Sequence, residues 1–119
     1  MRPTFQEVTN LVPKLNASAA ARNLMEAFPR VIQFTVSGEG APFCIRIADG
    51  AIELQDAIPN DPQLFVRVLD GERFLKVLRG HIDISHTFAA GQLIVERGKA
   101  SEMILLNRIL AAAQKGTRQ

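Results

Sequence analysis

Apolar residues at Phe5, Val8, Leu11 and Val12 recur three and four positions apart, which predicts a helix at the start of the chain. Thr4 and Glu7 stand at capping-box spacing, and Pro13 is expected to interrupt this helix. A second helix is expected from Asn16 or Ser18 to Phe28, with Ala17, Ala20, Ala21, Leu24 and Phe28 as its apolar stripe and Pro29 as its stop. Small alanines on that stripe suggest close packing against something flat, such as a sheet.

The apolar period then falls to two. Ile32, Phe34 and Val36 share one face of a strand over 31–36. After a turn at 37–40, Phe43, Ile45 and Ile47 alternate with Cys44, Arg46 and Ala48. Asp49-Gly50 reads as a tight hairpin turn, because both residues tolerate positive φ. Ile52 and Leu54 point inward from a strand over Ala51 to Gln55, and Asp56 to Pro62 is a loop. Leu64 to Leu69 is a fourth strand. These four strands are expected to form an antiparallel meander with one apolar and one wetter face.

A helical period returns at Asp70, a candidate N-cap before Phe74, Leu75, Val77 and Leu78, with Gly80 placed as a left-handed C-cap. A short helix capped by Asp83 is expected through Ile84 and Phe88 to Gly91. Leu93 and Val95 mark a fifth strand with Ile94 on its other face. Arg97-Gly98-Lys99 turns into a last helix from about Ala100 to Gln114. On that helix Met103, Leu105, Leu106, Ile109 and Leu110 cover an arc of about 160°, wider than the ~100° of an ordinary surface helix, and Ile104 falls outside it. Helices segregated from a largely antiparallel block define an α+β fold.

The chain has 119 residues, enough for a single domain over 1–119 with its own core. Its formal charge is only +2, and the basic residues are scattered among apolar ones. With no Trp, no Tyr and no basic run, there is no nucleic-acid partner in this reading. No apolar stretch reaches the ~20 residues of a membrane span, and the first residues do not have the order of a signal peptide, so a cytoplasmic location is expected.

Candidate chemistry is sparse. His81 and His86 are five apart, on different helical faces, and a metal site needs three or four converging ligands. Cys44, the one cysteine, has no histidine beside it in sequence and reads as a structural thiol. The 37–40 glycine turn precedes no helix and so lacks phosphate-loop geometry. No pair of carboxylates is spaced as acid and base. The expectation is a non-enzymatic protein with no cofactor and no metal. What remains is a surplus of apolar side chains after Asp70, which fits a core, a lid over a lipid cavity or a dimer face.

Three segments in order resemble the lipid-binding domain of the sterol carrier protein family, the type-two, non-specific lipid-transfer kind. The first is the opening strand block with its Asp49-Gly50 turn. The second is Leu64-Phe65-Val66-Arg67-Val68 followed by the helix Asp70 to Gly80. The third is Ile82-Asp83 followed by Thr87-Phe88-Ala89-Ala90-Gly91-Gln92-Leu93-Ile94-Val95. The likeness spans about Leu24 to Leu110. One departure is Lys99, which stands where the family commonly enters its last helix with an acid or Asn.

The resemblance implies a five-stranded, mostly antiparallel sheet with helices packed on one face and an apolar tunnel between them. Residues matching tunnel-lining positions are Phe74, Leu78, Phe88, Leu93, Val95, Met103, Leu106 and Leu110. It further implies a long-chain lipid or isoprenoid ligand: a fatty acyl chain, an acyl-CoA or a sterol-like molecule. An alternative role is that of an accessory factor presenting lipoquinone intermediates to a partner enzyme. The last helix could also pair two chains as a homodimer. Arg108, Lys115 and Arg118 give the last twelve residues +3, which could support transient contact with an anionic membrane. A tunnel of ~400 Å³ left empty would cost on the order of 10 kcal/mol, so the protein is expected to hold lipid or to collapse its last helix inward.

Overall fold

The computed structural model describes residues 2–116, without the side chains of 85, 88 and 115. The element order is α1 (Pro3–Ala17), α2 (Ala19–Glu26), β1 (Arg30–Val36), β2 (Phe43–Ala48), β3 (Ala51–Gln55), β4 (Leu64–Val68), α3 (Gly71–Leu78), α4 (Ile84–Ala89), β5 (Leu93–Arg97) and α5 (Ala100–Gly116). The fold is α+β, as the sequence pattern predicts. Its sheet runs β3-β2-β1-β4-β5.

The expected meander needs one correction. β1–β2, β2–β3 and β4–β5 are antiparallel, but β4 lies beside β1 and parallel to it, with Ile32 opposite Leu64 and Val36 opposite Val68. Two hairpins leave β3 pointing the same way as β1, so the chain must return along the sheet before β4 begins. Residues 56–63 make that return, at a reach of about 3.3–3.6 Å per residue. Gln63 anchors its end: its N–H donates to Val31 O (3.0 Å) and its Oε1 accepts from Val31 N (2.6 Å).

The inner face of the sheet carries Ile32, Phe34, Val36, Phe43, Ile45, Ile47, Ile52, Leu64, Val66, Val68 and Leu93, all buried. The helices cover this face. Three ring contacts cross it: Phe5 meets Phe43 edge-on at 5.5 Å, Phe43 stacks on Phe34 at 5.5 Å, and Phe34 meets Phe74 at 5.8 Å. Such pairs add roughly 0.5–1.5 kcal/mol each beyond area burial.

The first helix departs from expectation in two ways. Pro13 does not interrupt it; α1 runs on to Ala17. Proline removes one backbone bond, but Leu11 and Leu15 on either side are both buried, and that tertiary packing holds the helix together. The break comes instead at Ser18, whose side chain accepts from Ala21 N (3.2 Å) and starts α2. Nor do Thr4 and Glu7 form a capping box. Pro3 is the first helical residue, so Thr4 lies inside the helix, fully buried. Thr4 donates from N and Oγ1 to the two carboxylate oxygens of Glu39 (2.9 and 2.6 Å), so an acid from the β1–β2 turn caps α1.

Helix α2 packs chiefly against α5 rather than flat on the sheet; of the expected stripe Ala21 and Phe28 are buried, but Ala17 ends α1 and, like Ala20, is exposed, while Met25 is buried instead. Small residues permit close helix–helix approach just as they permit contact with a sheet, so the stripe alone did not choose. On α5 the buried stripe is Met103, Leu106, Ile109, Leu110 and Ala113, while Leu105 (39%) and Ile104 (52%) are exposed. The wide arc read from the sequence therefore splits into a buried stripe and an open flank.

Local punctuation falls where expected. Asp49 and Gly50 have φ of 53° and 72°, and Asp70 caps α3 by accepting from Arg73 N (3.1 Å). Gly80, at φ 80°, closes a Schellman end: Gly80 N donates to Val77 O and His81 N to Lys76 O. At the start of α4, Ile84 N donates to Asn107 Oδ1 of α5 (3.3 Å).

Candidate functional site

Between the sheet and helices α1, α3 and α5 lies a narrow apolar hollow of about 30 Å³, walled by Val8, Leu11, Leu15, Phe34, Ile45, Ile52, Phe74, Leu78, Leu106 and Leu110. Every wall residue is aliphatic or Phe. A cavity needs roughly 10–15 Å³ to admit one water, and a wall without polar groups gives that water no partners. Of the two expected states, a lipid-filled tunnel or a collapsed one, this conformation has the narrow, collapsed interior. The physical reason is the cost of empty apolar volume, about 24 cal/mol per Å³ in core-truncation variants.

Four of the eight residues picked from the sequence meet on this wall: Phe74, Leu78, Leu106 and Leu110. Leu93 and Met103 are buried, Val95 is half-buried opposite Val66, and none of the three lines the hollow. The Phe88 side chain lies outside the described residues, as do the Lys115 side chain and Arg118. The wall residues missed by sequence reasoning are Val8, Leu11 and Leu15 on α1 and Phe34, Ile45 and Ile52 on the sheet. Val8, Leu11 and Leu15 continue one helical face across Pro13, a signal lost once Pro13 is taken as a break.

The hollow shares Leu11 and Leu78 with a second, more open cavity of about 200 Å³ lined by Glu7, Leu11, Lys14, Leu78, Arg79, Ala113 and Gln114. This cavity, which we call the mouth, has an apolar floor and a polar rim and meets the hollow across Leu11 and Leu78. Two bonds span the rim. Arg79 Nε of α3's C-cap donates to Glu7 Oε1 of α1 (2.9 Å), and Gln114 Nε2 of α5 donates to Leu78 O (2.7 Å).

Other chemistry-bearing residues do not converge on the hollow. Cys44 is buried on the outer face of the sheet, between Gln33 and Gln55, and its Sγ donates to Gln55 Oε1 (3.5 Å). Burial first, and the Glu53 carboxylate second, push its thiol pKa up, the opposite of an activated nucleophile. His81 and His86 are exposed. Among the described residues no three His, Cys, Asp or Glu side chains are grouped to hold a metal. No helix among them is long and apolar enough to cross a membrane.

The unusual entry to α5 is also explained. Lys99 N donates to Glu102 Oε2 (2.8 Å), and Arg30 Nε donates to Glu102 Oε1 (2.6 Å). The acid absent at position 99 is supplied three residues later, from inside the helix.

A five-stranded sheet with helices on one face, closing over an apolar interior with a polar-rimmed mouth, is the architecture of a small lipid-carrier domain. The model of the SCP-2 sterol transfer family matches residues 9–98, and the chain belongs to that family. A search of curated proteins finds no match. Solved structures with the same fold include the UbiJ-SCP2 ubiquinone synthesis protein, at 18% identity and TM-score 0.67, covering 93% of this chain and 88% of that one. A crystal structure of sterol carrier protein 2 aligns at 15% identity and TM-score 0.65, covering 97% and 96%. Sterol carrier protein 2 from Yarrowia lipolytica, in its apo form, aligns at 18% identity and TM-score 0.63, covering 92% and 88%.

Proposed function

We propose that the protein is a non-enzymatic lipid carrier of the cytoplasm that takes a fatty acyl, sterol-like or isoprenoid guest between its sheet and helices α1, α3 and α5. The observation that supports this reading is an all-apolar wall that shares Leu11 and Leu78 with a polar-rimmed cavity at the surface. Phe74, Leu78, Leu106 and Leu110 would meet the guest first. Leu93, Val95 and Met103 would extend the wall as the helices part. Each buried methylene gains roughly 0.8 kcal/mol, so a chain of about a dozen supplies on the order of 10 kcal/mol gross to separate the helices. An apolar wall cannot discriminate strongly among guests of similar shape.

Organic extraction of the purified protein followed by mass spectrometry tests the reading. A stoichiometric acyl or isoprenoid species is expected, and the delipidated protein should melt lower and recover when a long-chain lipid is added. Absence of any bound lipid, together with a melting temperature indifferent to added lipid, would reject it.

A second reading is that the protein presents lipoquinone intermediates to partner enzymes. The structural likeness to the UbiJ-SCP2 ubiquinone synthesis protein favours it. Here extraction should yield a polyprenylated aromatic species, and pull-down should recover quinone-pathway enzymes.

A further inference from the structure

We infer that the mouth between α1, α3 and α5 is the portal of the carrier, and that its rim selects guests with an anionic headgroup, a carboxylate in the simplest case. This rests on the carrier reading above and specifies the guest's polar end. The mouth abuts the apolar hollow at Leu11 and Leu78, so a chain lying in the hollow with its end toward α3's C-terminus places its head among Glu7, Lys14, Arg79 and Gln114. Two of these carry positive charge and one carries negative charge. Glu7 is taken by Arg79 through Nε alone among the described residues (2.9 Å). Lys14 is exposed in the last turn of α1 and has no ion-pair partner among the described residues. The rim therefore holds one uncompensated cation, and a guanidinium with donors to spare.

The end of a helix ordinarily disfavours an anion through its free carbonyls. At the end of α3 those carbonyls are occupied. Leu75 O accepts from Arg79 N, Lys76 O from His81 N, Val77 O from Gly80 N, and Leu78 O from Gln114 Nε2. The full charges of Lys14 and Arg79 then set the sign of the site. The Glu7–Arg79 pair acts as a latch across the portal. An entering carboxylate competes with Glu7 for Arg79, so the head that is recognised also loosens the contact between α1 and α3.

The test is equilibrium binding of radiolabelled palmitate and hexadecanol, at submicellar concentration and low ionic strength, to the full chain and to Lys14→Gln, Arg79→Gln, Glu7→Gln and the double variant K14Q/R79Q. Thermal melts check that each variant is folded. Wild type should bind palmitate about tenfold more tightly than hexadecanol, the size of a charge-assisted contact, and added salt should erode that preference. K14Q and R79Q should each lower palmitate affinity several-fold and shrink the palmitate-to-hexadecanol preference, while E7Q should raise palmitate affinity. Equal binding of both probes by wild type, or a palmitate preference that survives in K14Q/R79Q, would overturn the portal while leaving the carrier reading standing. Failure of both probes to bind would overturn the carrier reading and the portal with it.

Discussion

Asn16, at the end of α1, holds both backbone groups of Ile52 on the edge strand β3: its Nδ2 donates to Ile52 O (2.9 Å) and its Oδ1 accepts from Ile52 N (2.8 Å). The side-chain amide thus takes the place of one residue of a neighbouring strand. It satisfies an edge that would otherwise offer a free pairing site, and it fixes α1 against the sheet beside the hollow. Replacing Asn16 by Ala should leave both groups of Ile52 unpaired and cost about 1–3 kcal/mol. Asn16→Asp should do no better, because a carboxylate accepts from Ile52 N but meets Ile52 O with no donor. Urea unfolding checks this, and two variants as stable as wild type would show the clamp to be idle.

Glu102 links the last helix to β1. Burial works against its ionised form, but the Lys99 N–H bond, the Arg30 hydrogen bond and the charges of Arg30 and Lys99 outweigh burial and hold its carboxyl below the ordinary value. A group lowered in the folded state contributes stability that is complete above its unfolded pKa, about 4.3. That stability is lost as the pH falls through the lower folded value. Glu102→Gln should therefore cost roughly 1–3 kcal/mol at neutral pH. The gap to wild type should stay constant from about pH 7 to 5 and close in more acid solution. Melting curves of both proteins across that range measure it, and a gap independent of pH would assign the effect to packing instead.

These two contacts show where sequence patterns inform and where they stop. Several signals confined to neighbouring residues were legible: the Asp49-Gly50 turn, the Asp70 cap and Gly80 each settle backbone geometry within a few positions, whereas the Thr4–Glu7 spacing lost out to Glu39 from a distant turn. Pro13 misled because a local cost was set against packing of Leu11 and Leu15, and that packing depends on the whole fold. The parallel pairing of β1 with β4 was hidden for a related reason, since inward-facing residues alternate alike in parallel and antiparallel neighbours. At the site, Phe74, Leu78, Leu106 and Leu110 came from family resemblance, whereas Leu15 and Ile45 look like any core residue until α1 is laid over the sheet. The mouth was least legible of all. Glu7, Lys14, Arg79 and Gln114 come from three helices at the two ends and the middle of the chain, and no periodicity links them.

Gly80 and Gln114 make that mouth testable as a mechanical joint. A Cβ on Gly80 would lie 2.7 Å from Gln114 Oε1, and its φ is +80°. Gly38 has nearly the same φ, +81°, but nothing within 4 Å of its would-be Cβ. Gly38→Ala should thus cost only the left-handed conformation, about 1–2 kcal/mol, whereas Gly80→Ala should also unseat Gln114 and lose its bond to Leu78 O, worth about 1 kcal/mol. In the background of Gln114→Ala, Gly80→Ala should cost no more than Gly38→Ala. Unfolding free energies of the four variants against wild type decide it, and equal costs for both alanines in the wild-type background would remove Gln114 from the joint.

Leu106 is buried on the wall of the hollow, and Ile109, one turn along the same stripe of α5, is buried away from it. Truncating either to Ala should destabilise the protein by about 2–5 kcal/mol, through lost transfer energy and a new cavity. The two variants should part company when a long-chain lipid is added. In Leu106→Ala the new space joins the place where a guest would lie, so the guest can refill it. A ligand at about a hundred times its dissociation constant restores ~2.7 kcal/mol. In Ile109→Ala the new space is sealed off, and lipid should stabilise that variant only as much as it does wild type. Melting temperatures with and without palmitate would read the difference. An identical lipid response from both variants would mean that the hollow beneath Leu106 is ordinary core packing.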